Sequence, residues 1–458
     1  MVYDNTGEQS NTEHGAGSTY DMHHPSPLPR PPHPSESMAH RPRPPRPPHL
    51  AHLRTPHPAQ ESAAALQQTG LWDQVIDEID GRRIRIGDHW LADFASCNYL
   101  GFDLHPAVIG AIDDQVRRWG THPSWSRMLG SPRLYPRIEE RLTELLGAPD
   151  TLVLPTITHI HLSVIPVLAD KGVIYLDSRA HKTIYDGCVH ARALGATMHR
   201  FRAGDIDQLR EQLATAPAGV SRLVCMDGVN SMTGNPPDLP AFASLCREYD
   251  ALLYIDDAHG FGVLGERRAN ETSPYGARGS AVVRHYGESY DNVILVSGFS
   301  KAYSSLLAFI ACPTDVKRLL KTVAPPYLYS GPSPTASLAT VLAGFDVNAV
   351  EGDAIRADLY RKTARVLDHV RALGARTPNE SGFPLIELPL AEADDLLAVG
   401  RYLIDHGIYV TVAPYPMVPR DEVGFRIQVT AANTDEEIDH LLATLTSVAA
   451  TFPLRAAG

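Results

Sequence analysis

From about Thr151 onward, short apolar runs rich in β-branched residues alternate with longer amphipathic stretches. That alternation is the pattern of βαβ units, in which a parallel sheet is covered by helices. Five runs read as strands: Gly172 to Leu176, Arg222 to Met226, Leu252 to Ile255, Val293 to Val296 and Phe309 to Cys312. Between and before them lie helical stretches such as YPRIEERLTELL, in which Ile138, Leu142, Leu145 and Leu146 recur at helical spacing. After about Ser333 a long helical stretch leads into GFPLIELPL, an amphipathic stretch, GIYVTVAP and FRIQVT. The expected architecture is α/β: a large domain with a mostly parallel sheet flanked by helices, then a smaller α+β C-terminal domain. Its expected limits are 101–335 for the large domain, 336–458 for the small one, and 61–100 for an N-terminal segment packing on both.

Residues 1–60 differ in kind. They are rich in Pro, His, Ser and Arg, as in HRPRPPRPPHL, and hold too few large apolar side chains to offset the entropy of ordering them. The segment reads as a disordered arm, whose His23, His24, His33 and His40 lack a scaffold to fix a metal geometry. The whole chain of 458 residues, 43% hydrophobic, is long enough for two cores. Its net charge of -12 disfavours nucleic acid as a partner, because phosphate binding rests on clustered Lys and Arg. No apolar run approaches the roughly 20 residues that span a bilayer. Cys97, Cys188, Cys225, Cys246 and Cys312 form no CxxC pair and fall in core-like segments, which points to a reducing cytoplasm.

In doubly wound sheets, ligands sit beyond the carboxyl ends of the strands. The run ALLYIDDAHGFGVLGE sends a strand straight into Asp256, Asp257 and His259, and NVILVSG runs into FSKAYSS with Lys301 just past the strand. Asp256 alone reads equally well as a helix cap. Paired with a lysine on a successive strand end, it makes sense as the partner of a pyridinium nitrogen, with Lys301 as the amine that forms an imine with an aldehyde. The plainer alternative is an Asp–Lys ion pair.

With NYLGF at Asn98, SRAHKTIYDG around His181, DGVNSMTGN at Asp227, DDAHGFGVLGE, SGFSKAY and GFRIQVTAAN around Arg426, the chain from roughly Trp72 resembles the α-oxoamine synthases, fold-type I enzymes dependent on pyridoxal 5'-phosphate (PLP). The resemblance implies a Schiff base on Lys301, Asp256 at the pyridine nitrogen, His259 and Ser231 at the ring phenol oxygen, and His181 stacked on the ring. It also implies Arg426 at the amino-acid carboxylate, Asn98 on the substrate side, and a homodimer in which YLYSGPSP reaches the neighbouring site. The implied reaction joins an amino acid to an acyl thioester of coenzyme A or a carrier protein, giving an α-amino ketone. Other PLP chemistry, such as transamination, aldol-type reaction or decarboxylation, stays open on the same scaffold. So does a silent binding protein, although Lys301, Asp256 and His259 are all retained. Outside the motif, His181 reads as a polar core residue, Asn98 as a turn residue before Gly101 and Arg426 as an ion-pair member.

The chain departs from this family's pattern in several places. His122, Pro123 and Trp125 replace small residues, which predicts a bulkier pocket wall, and Tyr135 stands where the family has a histidine. LPTITHIH puts Thr156 and Thr158 in the phosphate region. Gly298 and Gly331 stand where threonine-type contacts are usual, leaving Ser297, Ser300 and Ser330 as the nearest hydroxyls.

Overall fold

The computed structural model describes residues 66–269 and 273–457, so the arm 1–60 and its histidines lie outside the described residues. In chain order the strands are β1 (Glu78–Asp80), β2 (Arg83–Ile86), β3 (His89–Phe94), β4 (Asp150–Leu154), β5 (Val173–Asp177), β6 (Thr197–Phe201), β7 (Arg222–Asp227), β8 (Leu252–Asp256), β9 (Val293–Gly298), β10 (Ala308–Cys312), β11 (Leu385–Pro389), β12 (Ile408–Ala413) and β13 (Gly424–Gln428). All five apolar runs nominated from the sequence are strands, and GFPLIELPL, GIYVTVAP and FRIQVT become β11, β12 and β13.

The larger sheet has seven strands in the order β4-β10-β9-β8-β7-β5-β6. β5 to β9 run parallel, and β10 is antiparallel to both of its neighbours. Alternate residues feed two cores: Val173, Tyr175, Leu253 and Ile255 pack on one face, and Ile174, Leu176, Tyr254 and Val296 on the other. Strands buried on both faces read as continuous apolar runs, which is why the sequence pattern finds them. It does not single out β6, an edge strand whose Thr197, His199 and Arg200 are exposed. It also passes over β4 at the other edge.

The second sheet draws on both ends of the chain, in the order β1-β2-β3-β12-β13-β11. β3 joins β12 in parallel, with Ala92 opposite Ile408. Residues 78–94 thus enter the fold through backbone pairing, supplying three of six strands. Cys188, Cys225, Cys246 and Cys312 are buried and Cys97 half-buried, all as free thiols. No helix among the described residues is long and apolar enough to cross a membrane.

Candidate active site

The carboxyl ends of β7, β8 and β9 open on a cavity of about 150 Å³ lined by His181, Asp227, Ser231, Asp256, His259 and Lys301, among others. Parallel register brings these residues together: Asp227 lies opposite Asp256, and Asp256 opposite Val296 two residues before Gly298 closes β9. Lys301 follows three residues later, as expected from its place past the strand.

Three buried carboxylates crowd this end of the sheet, and their surroundings drive them apart. Burial pushes Asp256 up, but the hydrogen bond and charge of His161, the charge of Lys301 and the Ala258 N–H together hold it below the usual carboxylate range. His161 Nε2 lies 2.9 Å from Asp256 Oδ2, and Ala258 N donates to Oδ1 at 2.9 Å. The imidazole is itself fixed, its Nδ1 2.9 Å from the Tyr254 hydroxyl and its ring fully buried. Burial raises Tyr254 well above the ordinary phenol value, so the group beside Nδ1 is a protonated hydroxyl. Nε2–H then donates to the carboxylate. Asp227 is pushed well above the carboxylate range by burial and by the charge of Asp256. Asp257 is pushed up to about 8 by burial, although it accepts Val282 N–H at 2.8 Å. Of the adjacent pair in IDDAH, Asp256 alone carries full charge near neutral pH and faces the cavity. That is the partner a pyridinium N–H requires, so the residues present fit PLP at this end of the sheet.

His259 is buried beside the cavity, and burial with the charges of Lys301 and Arg426 holds it well below the usual imidazole value. Its Nδ1 lies 2.8 Å from the hydroxyl of Tyr99, whose proton is retained because burial raises that phenol strongly. A Tyr99 O–H donated to Nδ1 is the arrangement that leaves Nε2–H free for an acceptor. His181 caps the helix Lys182–Ala193, its N–H donating to Asp227 Oδ1 at 3.0 Å and its Nδ1 2.8 Å from Thr183 Oγ1. This fixes the ring at the cavity wall.

The helix Ile157–Ala169 points its N-terminus at the cavity, with Ile157 and Thr158 in the lining and Thr156 as the cap, its Oγ1 accepting His159 N–H at 3.3 Å. Free N–H groups and the helix dipole suit such an end to an anion. Gly298 is what permits the approach, since a Cβ there would stand 2.9 Å from Ile157 Cδ1 and 3.2 Å from Leu307 O. A larger residue in that place would press on the Ile157 side chain, whose end would have to shift. Ser297 is fully buried and donates its hydroxyl to Asp257 O at 2.9 Å, so that hydroxyl serves the sheet. Ser300 is exposed and is not in the cavity lining.

Arg426, central in β13, donates from Nη1 to Ser231 O at 2.8 Å and meets Met232 Sδ at 3.8 Å, while its Nε has no partner. It thus stands next to the cavity through Ser231. The structure does not bring Asn98 there. Asn98 Nδ2 donates to Asp103 Oδ2 at 2.9 Å and its carbonyl accepts Gly101 N–H at 2.9 Å, the geometry of a turn. Nor do His122, Pro123 and Trp125 line the cavity; Trp125 is exposed. Tyr135 is buried, its oxygen accepting Ser333 N–H at 2.7 Å and its ring 4.0 Å from the guanidinium carbon of Arg127. Gly331 leaves room for His122, whose Nε2 would be 3.4 Å from a Cβ there.

Sequence reasoning missed His161, Tyr99 and the ionisation of Asp227. His161 was in view within THIH, but its partner Asp256 is 95 residues away and no local signal links them.

Residues 91–445 match the family model "Aminotransferase class I and II". The chain is 31% identical over 377 residues to the 8-amino-7-oxononanoate synthase of Methylobacillus flagellatus, covering 80% of this chain and 87% of that one. It is 30% identical over 377 residues to the serine palmitoyltransferase of Sphingobacterium spiritivorum, covering 81% and 88%. Among solved structures, the serine palmitoyltransferase of Sphingomonas wittichii superposes with a TM-score of 0.79 at 26% identity over 88% of this chain and 99% of that one. With strands, cavity and relatives in agreement, the chain belongs to the class I and II aminotransferase family and, within it, to the α-oxoamine synthases of fold type I.

Proposed function

We propose that this protein is a PLP-dependent transferase that condenses an amino acid with an acyl thioester of coenzyme A or a carrier protein, releasing the thiol and the amino-acid carboxylate as CO2 and forming an α-amino ketone. The observation that carries the reading is the charged Asp256, gripped by His161, on the same cavity as Lys301. PLP supplies an electron sink for the bond broken at the amino-acid Cα. Lys301 is the residue that would hold the cofactor and, when freed from it, move the Cα proton. Asp256 would hold the pyridinium proton, His259 would offer its imidazole to the phenol oxygen, and His181 would pack against the ring. The N-terminal turn at Thr156 and Thr158 would hold the phosphate. Arg426 would hold the amino-acid carboxylate through its two-pronged guanidinium and so orient the bonds at Cα.

The protein works as a cytoplasmic homodimer. Exposed apolar side chains support this part of the reading: Leu129 is 75% and Tyr329 78% exposed, with Trp125, Met128 and Leu306 also open. Tyr329 belongs to the YLYSGPSP segment expected to reach the neighbouring site.

The test has two arms. Borohydride reduction of the yellow holoenzyme followed by peptide mapping should put the cofactor on the peptide containing Lys301, and Lys301→Ala should abolish the label. Glycine, L-alanine and L-serine are then supplied with and without acyl-coenzyme A thioesters. Thiol release that requires both substrates supports condensation. Conversion of the amino acid to its oxo acid with no thioester consumed would overturn it in favour of transamination.

A further inference from the structure

Glu387 is fully buried in β11, and neither of its carboxylate oxygens has a hydrogen-bond partner. An unpaired buried carboxylate is costly, so it calls for a physical account. In the antiparallel pair β11–β13, Glu387 stands directly opposite Arg426, and residues in such register project from the same sheet face. Thr411 of β12 flanks Arg426 on its other side. The guanidinium nevertheless reaches away, to Ser231 O at 2.8 Å, and leaves its Nε without a partner. The other charged groups acting on Glu387 are Glu422 from the short helix Arg420–Glu422, Arg179 after β5, and Arg376 after the helix Gly352–Ala372. Arg179 is already engaged with Glu422 at 2.6 Å. Arg426 is therefore the cation opposite Glu387 that also stands next to the cavity.

We infer that Glu387 is a positioning residue that sets how firmly Arg426 grips a substrate carboxylate, leaving the guanidinium free when neutral and competing for it when ionised. This rests on the proposal that Arg426 holds the amino-acid carboxylate. Burial first, then the charge of Glu422, pushes Glu387 up to about 7, with Arg179, Arg376 and Arg426 pulling it back. Below that pH the carboxyl is neutral. Above it, an arriving carboxylate meets a like charge across the sheet face, so binding favours the protonated form and takes up a proton. Amino-acid affinity should therefore fall, relative to a variant without the charge, as pH rises through the neutral range.

The experiment titrates holoenzyme with glycine, L-alanine and L-serine, followed by cofactor absorbance, for wild type, E387Q, E387M and R426K. Between about pH 6 and about pH 8.5, E387Q should go from equal affinity to about tenfold tighter binding than wild type, the scale of one like-charge coupling. E387M, which fills the space without a polar group, should follow E387Q. A wild-type to variant ratio that does not change with pH overturns the inference. R426K separates the two ideas. If it weakens binding at every pH while E387Q matches wild type, Arg426 keeps its role and Glu387 loses this one. If R426K titrates like wild type, or if no amino acid perturbs the spectrum, the substrate reading of this site fails.

Discussion

Asp256 works because a buried imidazole holds it in the charged form, while Asp227 beside it and Asp257 after it are driven the other way. Removing His161 should thus cost function without removing the cofactor. His161→Ala deletes a hydrogen bond to a charged group, an effect of about 1.5–3 kcal/mol, so kcat should fall about ten- to hundredfold with PLP still on Lys301. Unchanged kcat, with cofactor content checked by mass, would reduce His161 to a packing residue. Tyr99→Phe leaves His259 Nδ1 without its hydroxyl partner and frees the tautomer. A loss of up to about tenfold in kcat at full cofactor occupancy is expected from one neutral hydrogen bond. A variant indistinguishable from wild type would mean that His259 keeps its tautomer unaided.

At the scale of elements, the approach of the helix Ile157–Ala169 to the end of β9 depends on Gly298. Gly298→Val forces a side chain into Ile157, and overpacking of this kind costs about 1–3 kcal/mol. Denaturant unfolding should register that loss together with weaker retention of PLP, since the same contact positions the N-terminal turn. Weakened stability with PLP retention intact would detach the helix from phosphate binding. Arg127 ties the preceding loop to the helix Leu134–Leu146 through Glu139 at 3.0 Å, both side chains being buried. Arg127→Ala strands Glu139 with Lys317 as its remaining ion partner, 3.1 Å away. An uncompensated buried charge costs about 3–5 kcal/mol, so with Lys317 retained a smaller loss is expected, read by thermal or denaturant unfolding.

For the molecule as a whole, Asp257 makes stability depend on pH in the direction opposite to an ordinary surface carboxylate. Its folded-state value of about 8 lies above the unfolded value, so between about pH 4 and about pH 8 the native chain holds a proton that the unfolded chain lacks. Stability from this group is full below the unfolded value and falls as pH rises, by up to about 1.4 kcal/mol per unit. Asp257→Asn should flatten that decline and raise Tm more at pH 8 than at pH 5. Equal Tm changes at both would remove Asp257 as the cause. If the proposed homodimer uses this face, Tyr329→Glu should shift the protein toward monomer by light scattering, because a charge would then enter an apolar interface. A dimer that persists unchanged would move the interface elsewhere.

The sequence by itself determined the strands of the larger sheet that are buried on both faces, because continuous apolar runs have one stable place in a layered α/β fold. It also placed Asp256, His259 and Lys301 at one end of that sheet, where they line the cavity, since each follows a strand end within a few residues. Which aspartate of the pair is charged, what His259 Nδ1 pairs with, and where Asn98 and Ser297 spend their hydrogen bonds were decided by tertiary structure alone. The partners responsible, His161 for Asp256 and Tyr99 for His259, lie 95 and 160 residues away along the chain. The same holds for the smaller sheet, whose strands β3 and β12 meet from opposite ends of the chain. Ionisation and pairing depend on burial and on through-space neighbours within a few ångströms, and those are fixed only when distant segments pack together.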